Sequence, residues 1–234
     1  MKKGKLIYEG KAKKVYETDN PELLIQEFKD DATAFDAKKR GTIKNKGTCN
    51  NEISARLFGI LETKGISTHF VKLLSGREML VKRLEIIPVE VTIRNVVAGG
   101  MARMLGLEEG KKLKAPVLEY HYKSDALHDP LINEYHIFAL ELASNKEMKA
   151  IARYSFEINH ILLKFFDQRD LKLIDFKLEF GRHKDKILLG DEISPDTCRL
   201  WDKSTDKKLD KDRFRRDLGE IEEAYQEVLR RVSS

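Results

Sequence analysis

The sequence predicts an α+β fold built as two lobes of one unit. Strands and helices come in blocks rather than in strict alternation, which argues against a doubly wound sheet. The first block is β-rich, and the clearest amphipathic helices lie in the second half. No internal repeat and no obvious linker divides the 234 residues, a length suited to one large domain or two lobes sharing a cleft. We place a soft boundary near residues 84–90, giving an N-terminal lobe over 1–84 and a C-terminal lobe over 85–234.

Taken in order, "KLIYEG", "KKVYET" and "LLIQEF" are short apolar-bearing runs. They are broken at "EGKAK" and at "TDNPE", whose Asp-Asn-Pro is a turn signal. A helix follows over about 48–64, with Ile53, Leu57, Ile60 and Leu61 on one face and Gly65 as its stop. "THFVKLL", "EMLVKRLEII" and "VEVTIRNVV" are again strands, the last alternating Val89, Val91 and Ile93 against Glu90, Thr92 and Arg94. "AGGMARMLG" predicts a short Gly-led helix closed by Gly106. Ser144 and Glu147 form a capping box, and Met148, Ile151, Ser155, Ile158, Leu162 and Phe165 mark the buried stripe of the helix it starts. A final helix is expected over about 212–232, carrying Phe214, Leu218, Ile221, Tyr225, Val228 and Val232.

Between the last two helices lies "LKLIDFKLEFGRHKDKILLGDEISPDTCRLWD". Ile174, Phe176, Leu178 and Phe180 take one parity; Asp175, Lys177 and Glu179 take the other. Successive strand side chains point to opposite faces, so this is a strand with one apolar and one charged face. "GRHKDK" is a turn and "KILLGDE" a returning strand, which lets Glu179 and Asp191 approach one another. A solvated, salt-bridged face is the ordinary explanation of such charges.

Composition narrows the function classes. The net charge of +5 is spread among 35% charged residues, too evenly for a nucleic-acid groove but suited to small anions such as nucleotides or phosphosugars. No apolar run approaches a membrane span and no signal peptide opens the chain, so we expect a cytoplasmic protein without nucleic-acid or membrane partners. Cys49 and Cys198 stand far apart and the six histidines are scattered, which argues against a disulfide framework or a zinc site. Many Lys and Glu beside only three Gln is a thermophile-like balance.

No nucleophile motif, Walker A or GxGxxG is present. The chemistry on offer is that of lysines and carboxylates. Gly10, with Lys11 and Lys13, forms a hairpin that could lay N–H groups and ammonium groups over a polyphosphate. Glu179 and Asp191 suit magnesium, which takes one or two carboxylates and completes its shell with phosphates and waters. Lys177, between Asp175 and Glu179 on the same strand face, could neutralise them or touch a phosphoryl oxygen. Asp196, Arg199 and Trp201 are expected in a loop after Pro195, where a forked guanidinium suits phosphate, carboxylate or a surface salt bridge. Arg94 precedes the "AGG" helix start, a reasonable anion site, unless it merely pairs with Glu90. Asp125, His128 and Asp129 lie in the loop "DALHDPLINEYH", which a turn alone would explain.

In this order, "YEGKAKKVY", "VEVTIRNVVAGG", "HDPLIN", "DFKLEFG" and "GDEISPDTCRLWD" closely resemble the phosphoribosylaminoimidazole-succinocarboxamide synthases, the SAICAR synthetases of purine biosynthesis. The resemblance runs from about Lys5 to the last helix. It implies a SAICAR synthase-like fold, with a β-rich N-terminal lobe over a larger ATP-grasp or kinase-like lobe. It also implies an ATP-dependent ligase that condenses carboxyaminoimidazole ribonucleotide (CAIR) with L-aspartate, through an acyl phosphate, using ATP and Mg2+. Carried across, Lys11, Ala12 and Lys13 match the ATP-phosphate loop, and Lys82, Leu84 and Ile86 the adenosine strand. Glu179 and Asp191 match the metal carboxylates. Arg94 and Arg199 match the substrate-phosphate site, while Asp129, Lys177 and Asp196 line the same cleft, with Asp36 and Arg215 as further members. Lys177, Asp129 and Asp191 are the expected catalytic residues. Gly100 departs from the pattern, since many relatives carry Ser there and a hydroxyl donor is lost. Relatives are often homo-oligomers, a dimer being favoured here. A small-molecule kinase with a related ATP cleft is the alternative, separable by aspartate-dependent ADP release.

Overall fold

The structure is a computed structural model describing residues 2–34 and 39–234. Asp36 lies outside the described residues. Five antiparallel strands form the first sheet, in the order β1 (Lys3–Glu9), β2 (Lys13–Thr18), β3 (Leu23–Phe28), β7 (Glu78–Lys82) and β6 (Phe70–Leu73). Between them in sequence come a small ribbon, β4 (Asp31–Ala34) with β5 (Lys39–Thr42), and helix α1 (Lys46–Thr63). Ile53, Leu57 and Leu61 of α1 are buried, and Gly65 follows the helix at φ 86, a left-handed stop that glycine adopts without strain.

The second sheet runs β10 (Leu131–Ile132), β9 (Lys112–Tyr122), β8 (Glu85–Val96), β11 (Leu171–His183) and β12 (Lys186–Leu189), with β13 (Cys198–Asp202) also on β11. β11 is its axis. One edge pairs with β8 from Asp175 opposite Arg94 to Arg182 opposite Glu85. The other edge is shared: β13 takes Leu171 to Phe176, and β12 takes Phe180 to His183. The loop 190–197 crosses the interval left between them, where Lys177 N–H donates to Thr197 O (2.9 Å) and Gly190 N–H to Glu179 O (2.9 Å). This threading sets Asp191, Glu192 and Asp196 beside the charged face of β11.

The apolar face of β11 meets α4 (Asn145–Asp167), whose predicted stripe is buried throughout and whose Ser144–Glu147 capping box is formed. Helix α6 (Ile221–Ser233) packs on α1, burying Tyr225, Val228 and Val232. Short α2 (Gly99–Leu105) and α3 (Glu134–Ala139) flank β9, and α2 ends at Gly106 as expected. Among the described residues no helix is long and apolar enough to cross a membrane. Cys49 and Cys198 are buried free thiols.

Three expectations are corrected. "EMLVKRLEII" is not one strand: it breaks at Arg83–Leu84, its first half joining the first sheet and its second half opening β8. At that crossing Leu84 lies against Gly181 and Gly190, where a Cβ would stand 2.8 Å from Leu84 Cβ and 2.9 Å from Leu84 Cδ1 respectively. The last helix is likewise interrupted, giving α5 (Asp212–Arg215) and α6 separated by Asp217, Gly219 and Glu220 at positive φ. Arg213 stabilises that break by donating to the carbonyls of Lys208 (3.1 Å), Leu218 (2.9 Å) and Gly219 (2.7 Å). Finally, Arg199 and Trp201 stand on β13 rather than in a loop.

Candidate active site

A cleft of about 770 Å³ opens between the two sheets. Its apolar end is made by Ile7, Val15, Leu24, Val81, Leu84 and Ile86, side chains from both sheets around the Arg83–Leu84 crossing. The hairpin of Gly10, Lys11, Ala12 and Lys13 overhangs it, and Lys11 reaches across to Asp125 (2.6 Å). Lys82 lines the wall and donates to Thr68 O (2.9 Å). Behind it, burial and the neighbouring Lys13 push the His69 imidazole down to about 3, so His69 is neutral.

The charged face of β11 forms the floor and carries two ionic centres. In the first, Lys177 Nζ meets Glu90 (3.2 Å), Asp191 (3.3 Å) and, most closely, Glu179. Lys123 adds contacts to Glu179 (2.9 Å) and Glu90 (3.4 Å), while Lys13 holds Asp191 and Glu192 (2.9 Å). Burial alone would lower the Lys177 and Lys13 ammonium groups, but the carboxylates outweigh it and raise both. Asp191 is correspondingly held far below the usual carboxylate range by Lys13 and Lys177, against the burial that would raise it. Its backbone sits at φ 56, a left-handed conformation that Asp tolerates better than most side chains. Glu179 is only 5% exposed, so the solvated-face explanation of this strand fails.

In the second centre, Asp175 lies between two guanidinium groups, Arg94 (2.6 Å) and Arg199 (2.9 Å). Arg94 also grips Glu119 (2.8 Å), and Arg199 grips Asp212 (2.9 Å), which in turn holds Arg215 (2.6 Å). Arg94 therefore pairs with Asp175 and Glu119, not with Glu90 as the simple alternative had it. Arg199 Nη2 is packed against Gly99, where a Cβ would stand 2.3 Å away; that residue, at φ 54, is sterically restricted to glycine. Gly100 stands beside Arg94, and a Cβ there would meet Arg94 Nη2 at 3.9 Å, ordinary contact distance.

Asp129 reaches the cleft rim, where its carboxylate accepts the Ser124 N–H (2.8 Å) and staples its own turn. Asp196 lines the cleft too, but both its oxygens are taken, one by buried Lys46 (2.6 Å) and one by the Tyr225 hydroxyl (2.6 Å). Sequence reasoning passed over Glu90, Lys123, Asp175, Glu192, Lys46 and Lys211. Asp175 and Glu90 were visible as members of alternating charged faces, whereas Lys123 and Lys46 carry no local signal.

This geometry can now be set beside known proteins. A family profile described as SAICAR synthetase matches residues 6–232. The phosphoribosylaminoimidazole-succinocarboxamide synthase of Thermoanaerobacter sp. (strain X514) is 59% identical over 232 residues, 99% of each chain. The chain belongs to the SAICAR synthetase family. Among solved SAICAR synthetases, the phosphoribosylaminoimidazole-succinocarboxamide synthase of Ehrlichia chaffeensis superposes with a TM-score of 0.96 at 48% identity, covering 98% of both chains. A SAICAR synthetase (Type-2) in complex with ADP superposes at 0.93 and 48% identity, covering 96% of both.

Proposed function

We propose that this protein is the ATP-dependent ligase that condenses CAIR with L-aspartate to give SAICAR, ADP and phosphate in purine biosynthesis. The observation that carries the reading is the first ionic centre, half-buried lysines held among carboxylates under a glycine hairpin in a member of the SAICAR synthetase family. The missing nucleophile fits this reaction, because the substrates bring both reacting groups. The CAIR carboxylate attacks the terminal phosphorus of ATP and ADP leaves. The aspartate amine then attacks the acyl carbon, a C–N bond forms, the C–O bond to phosphate breaks and a proton is lost from nitrogen. The protein's task is to position charges and exclude water.

In this reading Lys11, Ala12 and Lys13 hold the nucleotide phosphates, and Lys82, Leu84 and Ile86 border the adenosine. The lobe of residues 1–84 covers the nucleotide and that of 85–234 carries the substrate. Glu179 and Asp191 fit Mg2+, being carboxylates that meet around Lys177, with Asp191 strongly held in its ionised form. When bound, the ion supplies charge neutralisation for the polyphosphate. Lys177 stabilises charge on the transferring group. Arg94 and Arg199, with Gly100, take the CAIR phosphate, while Asp129, Asp196 and Arg215 complete the substrate wall; Asp36 is assigned to substrate binding from the sequence resemblance alone. We place the enzyme in the cytoplasm and expect a homodimer.

The deciding experiment is ADP release from Mg2+-ATP with CAIR and L-aspartate together and then each alone, the product being weighed by mass spectrometry. Turnover that needs both substrates, with a succinocarboxamide product, is expected. Rapid ADP release without aspartate, leaving a phosphorylated product, would replace the ligase by a kinase.

A further inference from the structure

Lys211 lines the cleft beside Arg215 and is joined to the site loop through its N–H, which donates to Pro195 O (3.0 Å). Among the described residues, the other lysines and arginines of the cleft all have a protein acceptor. Lys211 Nζ has, among the described residues, neither a carboxylate within ion-pair distance nor a hydrogen-bond partner. The reason lies in its neighbours. Asp196 has given one oxygen to Lys46 and the other to Tyr225, while Glu192 has given one to Lys13 (2.9 Å) and one to the Ser194 hydroxyl. Both carboxylates whose charge reaches Lys211 are thus already engaged by other donors, and Lys46 and Arg215 add like charge.

We infer that the Lys211 ammonium, with Arg215 beside it, anchors a carboxylate of L-aspartate; this rests on the ligase reading. A half-buried cation with no counter-ion gains most from an incoming anion. Burial, together with Arg215 and Lys46, lowers the Lys211 ammonium despite Asp196 and Glu192, which is the signature of a positive charge short of negative partners. Location selects the ligand. Loop 190–197 contacts Lys177 on one side and Lys211 on the other, so an amino acid held by Lys211 lies within the same wall as the centre that activates the CAIR carboxylate. The arginine pair around Asp175 remains for the phosphate.

The test is steady-state kinetics of the full chain with Lys211→Met and Lys211→Arg. The methionine variant should raise KM for L-aspartate about tenfold to a hundredfold, leaving KM for ATP and CAIR within twofold and kcat largely intact. Arginine should recover most of the loss. An unchanged KM for L-aspartate overturns the inference, and so does a rise confined to CAIR, which would assign Lys211 to that substrate's phosphate or carboxylate. Lys211→Gln, assayed in the same way, replaces the methionine variant if the latter unfolds. Failure of wild-type protein to require aspartate would instead remove the ligase reading itself.

Discussion

The two ionic centres on the floor of the cleft lie on the same face of the same strand, yet they are built differently. Around Glu179 the cations are lysines, flexible point charges shared among several carboxylates. Around Asp175 they are arginines, whose planar forks each span two acids and fix their directions. The lysine centre can exchange partners when phosphates arrive, whereas the arginine centre is a frame that holds β8, β9, β13 and α5 in register with β11. One strand thus combines an adaptable half with a rigid half, four residues apart.

The largest effect expected from breaking this contrast is catalytic. Glu179→Gln or Asp191→Asn should lower turnover by about a thousandfold while circular dichroism still reports the folded protein. Asn tolerates the left-handed backbone at position 191. Near-normal ADP release from either variant would remove the metal assignment.

Asp175→Asn should act on the opposite quantity. It leaves Arg94 and Arg199 short of their shared anion, and unfolding in urea should register a loss of about 3–5 kcal/mol. A variant as stable as wild type would show that the arginine frame is no frame.

Acid sharpens the same point. Burial would raise the Asp212 carboxyl, but Arg199 and Arg215 hold it at about 2. Its folded value lies below that of an unfolded aspartate, so the stability it lends is fully present above about pH 4 and is lost as pH falls toward 2. That contribution is about 2 kcal/mol, and Asp212→Asn should flatten the stability–pH curve over this window. An unchanged slope in urea titrations would count against the pairing.

The smallest effect belongs to Gly100→Ser. A Cβ there would stand 3.9 Å from Arg94 Nη2, ordinary contact distance, and the backbone is not left-handed. The added hydroxyl should lower KM for CAIR severalfold, the scale of one hydrogen bond. A raised KM would mean that the ligand needs the room that the missing side chain leaves beside Arg94.

Much of this was legible in the sequence because alternation and helical periodicity are local. The parity of Asp175, Lys177 and Glu179 placed them on one face, and the Ser144–Glu147 box fixed the start of α4. The strand pair from Leu171 to Leu189 also emerged from its turn. What local patterns could not supply was the edge that β12 and β13 share along β11, since pairing between distant segments leaves no periodic trace. For that reason Arg199 looked like a loop residue, and Lys46 and Lys123 stayed hidden although both end on carboxylates of the cleft wall. The break of the last helix was missed for another reason. Its apolar spacing continues through Leu218, which the structure leaves 44% exposed, and only Gly219 hinted at the interruption.

The near-complete pairing of charges in the cleft has a kinetic consequence. Basic and acidic side chains line it in nearly equal numbers, most of them already neutralising one another. An approaching nucleotide or phosphosugar therefore meets only a modest excess of positive charge, and its capture rate should fall only moderately as ionic strength rises. Selectivity then resides in how long each ligand stays, because to remain it must displace carboxylates that already occupy the lysines it needs.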